Sequence, residues 1–176
     1  SAESMGEMIS QILETDRLRP MTTEALFDYS LFQVTSQRSK DRITLENRAQ
    51  GRLLCVNKIT FSRALVNLIN NAVNAVDSEK GKIHIGIDAL DGDIVITVSD
   101  NGCGIAREKD LAHVWEAGFS SHGSTGLGMG YVREIVEECG GSIALCSSPG
   151  RGTKVTIHVK EVVPDEPTEY HRPGSR

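Results

Sequence analysis

A helical pattern over residues 64–76 carries two different stripes of side chains, and together they limit the folds that this chain can adopt. One stripe is apolar and recurs at helical spacing, so it would seat the helix on a core. The other consists of carboxamides at i, i+4 and i+7, which share one face. Asparagine is a poor residue for a helix interior, so this second stripe predicts a purpose other than stability. The apolar stripe is Phe61, Leu65, Leu68, Ala72 and Val76, and the carboxamide stripe is Asn67, Asn71 and Asn74.

The chemistry of the carboxamide stripe points to phosphate and metal binding. An asparagine oxygen is a neutral, hard ligand suited to Mg²⁺ and to water bound to phosphate. The net charge of -5 and the absence of a long basic run argue against a nucleic-acid surface. Phosphate chemistry would therefore have to use local groups rather than a global positive field.

The order of predicted elements favours an α+β fold. Alternating apolar residues predict strands over 82–89 and 93–99, joined at the turn sequence Asp91-Gly92-Asp93. Adjacent strands are often joined by hairpins, which fits a two-layer α/β sandwich with helices on one face better than an alternating parallel sheet. The other predicted elements are a helix ending near Arg19-Pro20, a helix over 23–40 with Thr22 or Thr23 as N-cap, strands at 43–47 and 53–56, short helical turns near 108–114, a helix over 129–139, and a closing hairpin of 142–147 with 153–159.

The spacing of the cysteines and the hydropathy of the chain indicate in which cellular compartment it is expected. The four cysteines show neither C-x-x-C pairing nor metal-ligand spacing, so free thiols are expected. No apolar run reaches the length of a membrane span and no secretory leader is visible, which predicts a cytoplasmic piece without direct membrane contact. Membrane anchoring of a longer parent protein stays open. The proline-containing tail from 162 to 176 has little to bury and is expected to be mobile.

A second chemical feature is the sequence Asp100-Asn101-Gly102-Cys103-Gly104-Ile105, which follows a predicted strand. A plain turn is one interpretation. The alternative is a ligand site, because a carboxylate beside glycine backbone is suited to accept a hydrogen bond from an exocyclic amino group. Adenine carries such a group at its six position, whereas guanine does not.

A third feature is the glycine-rich run Ser124-Thr125-Gly126-Leu127-Gly128-Met129-Gly130, which opens the helix near Met129. Glycines before a helix N-terminus let backbone N–H groups converge on an anion. The run fits neither the P-loop nor the dinucleotide fingerprint. The preceding stretch, 115–123, suggests either a flap anchored by Phe119 or a surface loop, and His122 is either a phosphate ligand or a solvated histidine.

In combination, these segments resemble the catalytic and ATP-binding domain of bacterial two-component sensor histidine kinases, within the wider family shared with gyrase, the ninety-kilodalton heat-shock chaperone and the mismatch-repair clamp. The segments that match its N box, two glycine boxes, F box and terminal G-x-G-T motif are 67–72, 100–105, 125–129, 115–119 and 150–153. The resemblance implies a Bergerat-type ATP-binding fold with a mixed, largely antiparallel sheet.

The resemblance also implies roles for individual residues. Asn71 would coordinate Mg²⁺ that bridges the ATP phosphates, and Asp100 would bind the adenine amino group, with Thr153 supporting it through water. Backbone around the second glycine box would hold the phosphates under a lid over 120–125. The implied catalytic and metal residues are Asn67 and Asn71, and the implied nucleotide-binding set is Asn71, Asn74, Asp100, Gly102, Gly104, Ile105, His122, Gly126, Leu127, Gly128, Met129 and Thr153.

Two positions depart from the pattern of this family, and a third separates reaction classes within the wider family. Asn74 and His122 occupy positions that often hold lysine, so positive charge is missing from the phosphate site. Asn67 lies four residues before the metal asparagine, where hydrolases and serine kinases of the wider family typically place a glutamate. A carboxamide cannot act as a general base, whereas phosphoryl transfer to a neutral imidazole needs mainly positioning and charge neutralisation.

The sequence therefore predicts the ATP-binding domain of a histidine autokinase over 21–161, preceded by the end of a dimerisation hairpin helix at 1–20. The expected partners are the protein's own phosphoacceptor domain, which supplies the histidine, and a downstream response regulator. The full-length protein is expected to be a homodimer. The alternatives are an ATP-driven conformational clamp or chaperone module and a nucleotide-sensing module without transfer activity.

Overall fold

A computed structural model describes Met5 and residues 17–34, 40–106, 108–116 and 128–164. The first helices and strands alternate irregularly along the chain, and hairpins dominate its second half. The helices are α1 (Thr23–Phe32), α2 (Lys58–Ala75), α3 (Glu108–His113) and α4 (Met129–Glu138), and the strands are β1 (Arg19–Thr22), β2 (Ile43–Asn47), β3 (Leu53–Val56), β4 (Ile83–Leu90), β5 (Asp93–Asp100), β6 (Ser142–Ser148) and β7 (Gly152–Val162).

The strands form one mixed sheet. Its path is β1-β3-β7-β5-β4-β2, and β6 also pairs with β7. Strands β2 and β4 run parallel, whereas the other pairs are antiparallel. Helix α2 contacts α1 and α4 as well as β4, β5 and β7, so these helices form a second layer on the sheet. The predicted α+β sandwich with a mixed, largely antiparallel sheet is confirmed.

The hairpin of β4 and β5 follows from a two-residue turn. Asp91 and Gly92 have φ angles of 51° and 81°, as a turn matching the twist of antiparallel strands requires. The turn sets the register in which Leu90 faces Asp93, and β5 then ends at Asp100 opposite Thr153 of β7. Alternate residues of the two strands are buried, including Ile85, Ile96 and their neighbours in the core.

The asparagine-bearing helix α2 begins earlier than the pattern over 64–76 indicated. The side chain of Asn57 accepts hydrogen bonds from the backbone N–H groups of Ile59 and Thr60, and this cap starts the helix at Lys58. The predicted apolar stripe is confirmed: Phe61, Leu65, Leu68 and Ala72 are buried, and Val76 is the half-buried C-cap residue.

Two features differ from the sequence prediction. Helix α1 ends at Phe32 rather than near Lys40, since the backbone N–H of Gln33 closes the last turn; residues 35–39 lie outside the described ranges. Strand β1 was not predicted, and its Arg19 and Pro20 pair with β3 where a helix was expected to end. An edge strand can hold a proline, which donates no ladder hydrogen bond.

Thr22 is the N-cap of α1, and its hydroxyl accepts the N–H of Ala25 at 3.2 Å, which confirms one of the two candidates. None of the helices within the described ranges is long and apolar enough to cross a membrane.

Candidate functional site

Helix α2 presents two asparagines to the beginning of α4. The side-chain nitrogen of Asn67 lies 3.4 Å from the carbonyl oxygen of Gly128, and Asn67 is only 9% exposed. One turn further along, the side-chain nitrogen of Asn71 lies 3.7 Å from the sulfur of Met129. Two of the three carboxamides therefore face the beginning of α4, which belongs to the segment that the sequence predicts as an anion site.

The beginning of α4 is suited to a negatively charged ligand. The helix starts at Met129 after Gly128, and no side chain of the described residues caps its first N–H groups. Such groups lack partners within the helix, and the helix dipole makes this end partially positive. A phosphate bound here would lie beside the amides of Asn67 and Asn71.

Asp100 forms the second part of the site, at the end of β5. Its Oδ1 accepts the N–H of Gly102 at 2.8 Å, and the backbone N–H of Thr153 also bonds the carboxyl. Burial raises the pKa of the Asp100 carboxyl above its ordinary value, and the two N–H groups offset part of that shift. A carboxylate that is poorly solvated in this way gains from an additional donor, such as the amino group of a ligand.

The loop after Asp100 is fixed against the end of the asparagine helix. The N–H of Cys103 donates to the carbonyl oxygen of Ala75 at 3.0 Å. A Cβ on Gly102 would collide with that same carbonyl oxygen, so the close approach requires glycine. This contact holds the loop after Asp100 against the C-terminal end of the helix that carries Asn71.

Strand β7 also approaches Asp100 so closely that only a glycine fits between the two strands. Gly152 has a φ of 91°, and a Cβ there would collide with the carbonyl oxygen of Asp100. The glycine thereby allows Thr153 to lie directly beside the carboxylate. The glycines at both 102 and 152 are therefore explained by backbone contacts at the site.

Sequence reasoning missed one polar residue of this region, Ser147 of β6. Its hydroxyl accepts the N–H of Ile105 at 2.9 Å and lies 2.8 Å from the hydroxyl of Thr153. It also lies 3.2 Å from the carbonyl oxygen of Gly152. The predicted hairpin of 142–147 with 153–159 already implies that Ser147 lies near Thr153. Only the structure shows that the loop over 100–105 also approaches Ser147, so that the serine links this loop to strand β7.

The remaining predicted residues divide into two groups. Asn74 is exposed on α2, one turn beyond Asn71, and Gly104 is half-buried in the loop beside Ile105. The flap with Phe119, the lid over 120–125, and the predicted contacts His122, Gly126 and Leu127 lie outside the described residues.

A groove of about 420 Å³ lies next to the site without containing its asparagines or Asp100. It runs between α3, α4 and β6. The guanidinium of Arg133 lies 5.5 Å from the centre of the Trp115 ring, which forms one wall. Ser147 lines this groove and its hydroxyl also contacts Thr153, so this residue separates the groove from the region around Asp100.

Comparison with known proteins places this geometry in a family. A family model described as histidine kinase-, DNA gyrase B- and HSP90-like ATPase matches residues 56–163, which is more than half of the chain. The C4-dicarboxylate transport sensor protein DctB of Rhizobium meliloti is 34% identical over 122 residues, which cover 69% of this chain and 20% of that protein. The sensor histidine kinase ZraS of Klebsiella oxytoca is 29% identical over 90% of this chain and 36% of that protein. The chain thus spans between a fifth and somewhat over a third of these two curated relatives.

Solved structures share the fold. The catalytic domain of the histidine kinase ThkA superposes with a TM-score of 0.70 at 21% identity, covering 81% of this chain and 95% of that domain. The mycobacterial sensor histidine kinase MprB gives 0.69 at 23% identity, over 82% and 97%. Full-length ShkA, solved in complex with AMPPNP, gives 0.69 at 22% identity, over 84% and 32%.

Proposed function

Because the chain belongs to the family of histidine kinase-, DNA gyrase B- and HSP90-like ATPases, we propose that it binds Mg-ATP and transfers the γ-phosphoryl group to a histidine of a phosphoacceptor domain. The observation that carries the proposal is that helix α2 contacts both parts of the proposed site. Asn67 and Asn71 contact the beginning of α4, and the loop after Asp100, whose carboxylate accepts the N–H of Gly102, is hydrogen-bonded to Ala75 at the end of the same helix.

Asp100 would select the base. Its carboxylate already accepts N–H groups from Gly102 and Thr153, and burial limits its solvation. The six-amino group of adenine can donate to it, whereas the six-oxygen of guanine would repel it. A site that pairs one buried polar group strongly rejects a ligand that leaves that group unpaired.

Asn71 and the beginning of α4 would hold the phosphates and Mg²⁺. Within the described ranges, no group of three His, Cys, Asp or Glu side chains could hold a metal ion. Mg²⁺ commonly keeps several waters and takes one or two protein ligands together with substrate phosphates. Because the side-chain nitrogen of Asn71 faces the sulfur of Met129, the amide oxygen of Asn71 points away from Met129. The residues therefore fit an ion held by Asn71, with Asn67 beside it, and such an ion neutralises charge on the phosphates.

Asn67 favours transfer to histidine over hydrolysis. This residue lies four positions before Asn71, is buried, and contacts Gly128 through its amide nitrogen. An amide cannot take a proton from water or from a serine hydroxyl at neutral pH. A neutral imidazole attacks through a lone pair that it already has, so no base is needed at Asn67.

The partners follow from the reaction. The proposal requires a phosphoacceptor domain that carries the histidine, expected in the same full-length protein, which would act as a homodimer. Phosphohistidine would then pass its phosphoryl group to a response regulator in two-component signal transduction. ZraS, named as a sensor histidine kinase, is the kind of relative that supports this assignment.

A transfer assay tests the proposed function. The chain is mixed with the histidine-bearing domain of its own kinase and ATP radiolabelled at the γ position, and acid-labile, alkali-stable label on that domain is expected. Asn71→Ala should strongly reduce labelling at ATP concentrations below saturation, whereas Asn70→Ala, on an exposed position of the same helix, should retain it. Acid-stable label would indicate a serine kinase instead. Steady ATP turnover that survives Asn67→Ala would favour a conformational clamp, and ATP binding without any transfer would favour a nucleotide sensor.

A further inference from the structure

Ser147 joins three segments of the site through one hydroxyl group. It contacts the N–H of Ile105 in the loop after Asp100, and both the carbonyl of Gly152 and the hydroxyl of Thr153 in β7. Ser147 itself belongs to β6, where it pairs with Thr153 in the strand register. The loop and the strand that flank Asp100 are therefore held to each other by one side chain.

The hydrogen-bonding capacity of this hydroxyl fixes the direction of each bond. A serine hydroxyl has one proton and two lone pairs. All three contacts are satisfied when Ile105 N–H and Thr153 O–H donate to Ser147, which donates its own proton to the carbonyl of Gly152. In this arrangement the proton of Thr153 is committed to Ser147. The Thr153 oxygen then offers only lone pairs to a ligand or to a bridging water.

We propose that Ser147 is a positioning residue for base selection, which holds Thr153 as a hydrogen-bond acceptor beside the acceptor Asp100. This inference rests on the proposed nucleotide-binding function and deepens it. Two neighbouring acceptors match the amino group of adenine and a water that bonds it. They do not match the six-oxygen of guanine, which is itself an acceptor. Without Ser147, the Thr153 hydroxyl can rotate and donate, so discrimination between the two bases relaxes.

The test compares Mg-ATP and Mg-GTP affinities, measured by calorimetric titration, for four forms of the chain. Ser147→Ala is expected to lower ATP affinity about tenfold, in line with the loss of a hydrogen bond, and to lower the ATP-over-GTP ratio by a similar factor. Ser147→Thr retains a hydroxyl group and is expected to keep the ATP-over-GTP ratio of the unmodified chain. Ser148→Ala is the matched control, because Ser148 is the exposed neighbour on the same strand, and it should bind like the unmodified chain.

Two further measurements separate positioning from general damage. Hydrogen exchange of the Ile105 amide should be faster in Ser147→Ala than in Ser148→Ala, since only the first variant removes its acceptor. In a Thr153→Val background, Ser147→Ala should cause no further loss of base discrimination, because Ser147 acts through Thr153.

An ATP-over-GTP ratio in Ser147→Ala within twofold of the Ser148→Ala value would overturn the proposal, and so would additive losses in the double variant. If the unmodified chain binds no ATP, the proposed function fails and this inference fails with it. If the unmodified chain binds ATP and Ser147→Ala has the same ATP-over-GTP ratio as Ser148→Ala, the proposed function stands and the role of Ser147 is rejected.

Discussion

The side-chain nitrogen of Asn67 in α2 lies 3.4 Å from the carbonyl oxygen of Gly128, the residue directly before α4. This contact joins two segments that are 61 positions apart in the chain. It places Asn67, which stands where hydrolases of the wider family are expected to have a glutamate, next to the end of α4 where phosphate is proposed to bind. The proposed reaction class and the proposed phosphate site therefore involve the same pair of residues.

Replacing Asn71 with alanine should weaken Mg²⁺-dependent ATP binding. The substitution removes an amide oxygen that is proposed as a metal ligand. Because an interaction with a charged group is worth about 1.5–3 kcal/mol, the ATP affinity in the presence of Mg²⁺ should fall about tenfold to a hundredfold. Titration of ATP with and without Mg²⁺ measures it. Asn70→Ala is the matched control on the same helix, and an equal loss in both variants would contradict the metal role.

Replacing Asp100 with asparagine should remove adenine preference. The variant puts an amide where a carboxylate accepted the amino group, so the ATP-over-GTP ratio should fall by about 10⁴-fold if the site relies on this one polar group. Competition binding with both nucleotides measures the ratio. A ratio that is unchanged in the variant would show that base selection lies elsewhere.

The stability of the ligand-free protein should depend on Asp100 in a defined direction. Burial raises the pKa of the folded-state carboxyl above its unfolded value, so the protonated form favours folding. This contribution is fully present below the unfolded pKa and is lost as pH rises through the folded pKa. The melting temperature of the wild-type protein should therefore fall relative to that of Asp100→Asn as pH rises from the acidic range to neutrality. A relative gain for the wild-type protein over this range would contradict the assignment.

A methyl group at Gly102 should destabilise the fold. The Cβ would collide with the carbonyl oxygen of Ala75, and overpacking against backbone typically costs about 1–3 kcal/mol. Urea unfolding of Gly102→Ala measures the loss. Gly86→Ala is the control in β4, because its Cβ would have its nearest neighbour at 3.5 Å, an ordinary contact. Equal stability of the two variants would argue against the close approach of the loop to α2.

The thiols should differ in reactivity. Burial raises the pKa of Cys139 to about 11, with the backbone N–H of Asn57 offsetting part of the shift, whereas Cys146 is exposed. Near neutral pH an alkylating reagent should therefore modify Cys146 faster than Cys139 in the native protein, because Cys139 is partly buried and the thiolate is the reactive form. Mass spectrometry of the digested protein gives both rates, and similar rates at the two sites in the native protein would contradict this environment.

Local patterns in the sequence sufficed to predict much of the fold. The apolar stripe of α2 repeats at helical spacing, and the β4–β5 hairpin combines alternation with a turn that needs positive φ angles at Asp91 and Gly92. These signals lie within a few residues of each other, so they can be interpreted without knowledge of the tertiary contacts. The sequence also predicted that Asn67 and Asn71 would share a face, and both contact residues at the beginning of α4.

The features that escaped prediction depend on long-range contacts. Strand β1 has only four residues, one of them proline, and its structure comes from pairing with β3. Ser147 is one of two adjacent serines at the end of β6, and its importance arises only where the loop containing Ile105 meets the strand. Neither the pairing of β1 with β3 nor the contact of Ser147 with Ile105 leaves a periodic signal in the sequence.

A titration of the unmodified chain with Mg-ATP and Mg-GTP under identical conditions tests whether Asn71 and Asp100 belong to one binding site for an adenine nucleotide. We expect saturable ATP binding that is about 10⁴-fold tighter than GTP binding. Equal affinities for the two nucleotides would contradict it.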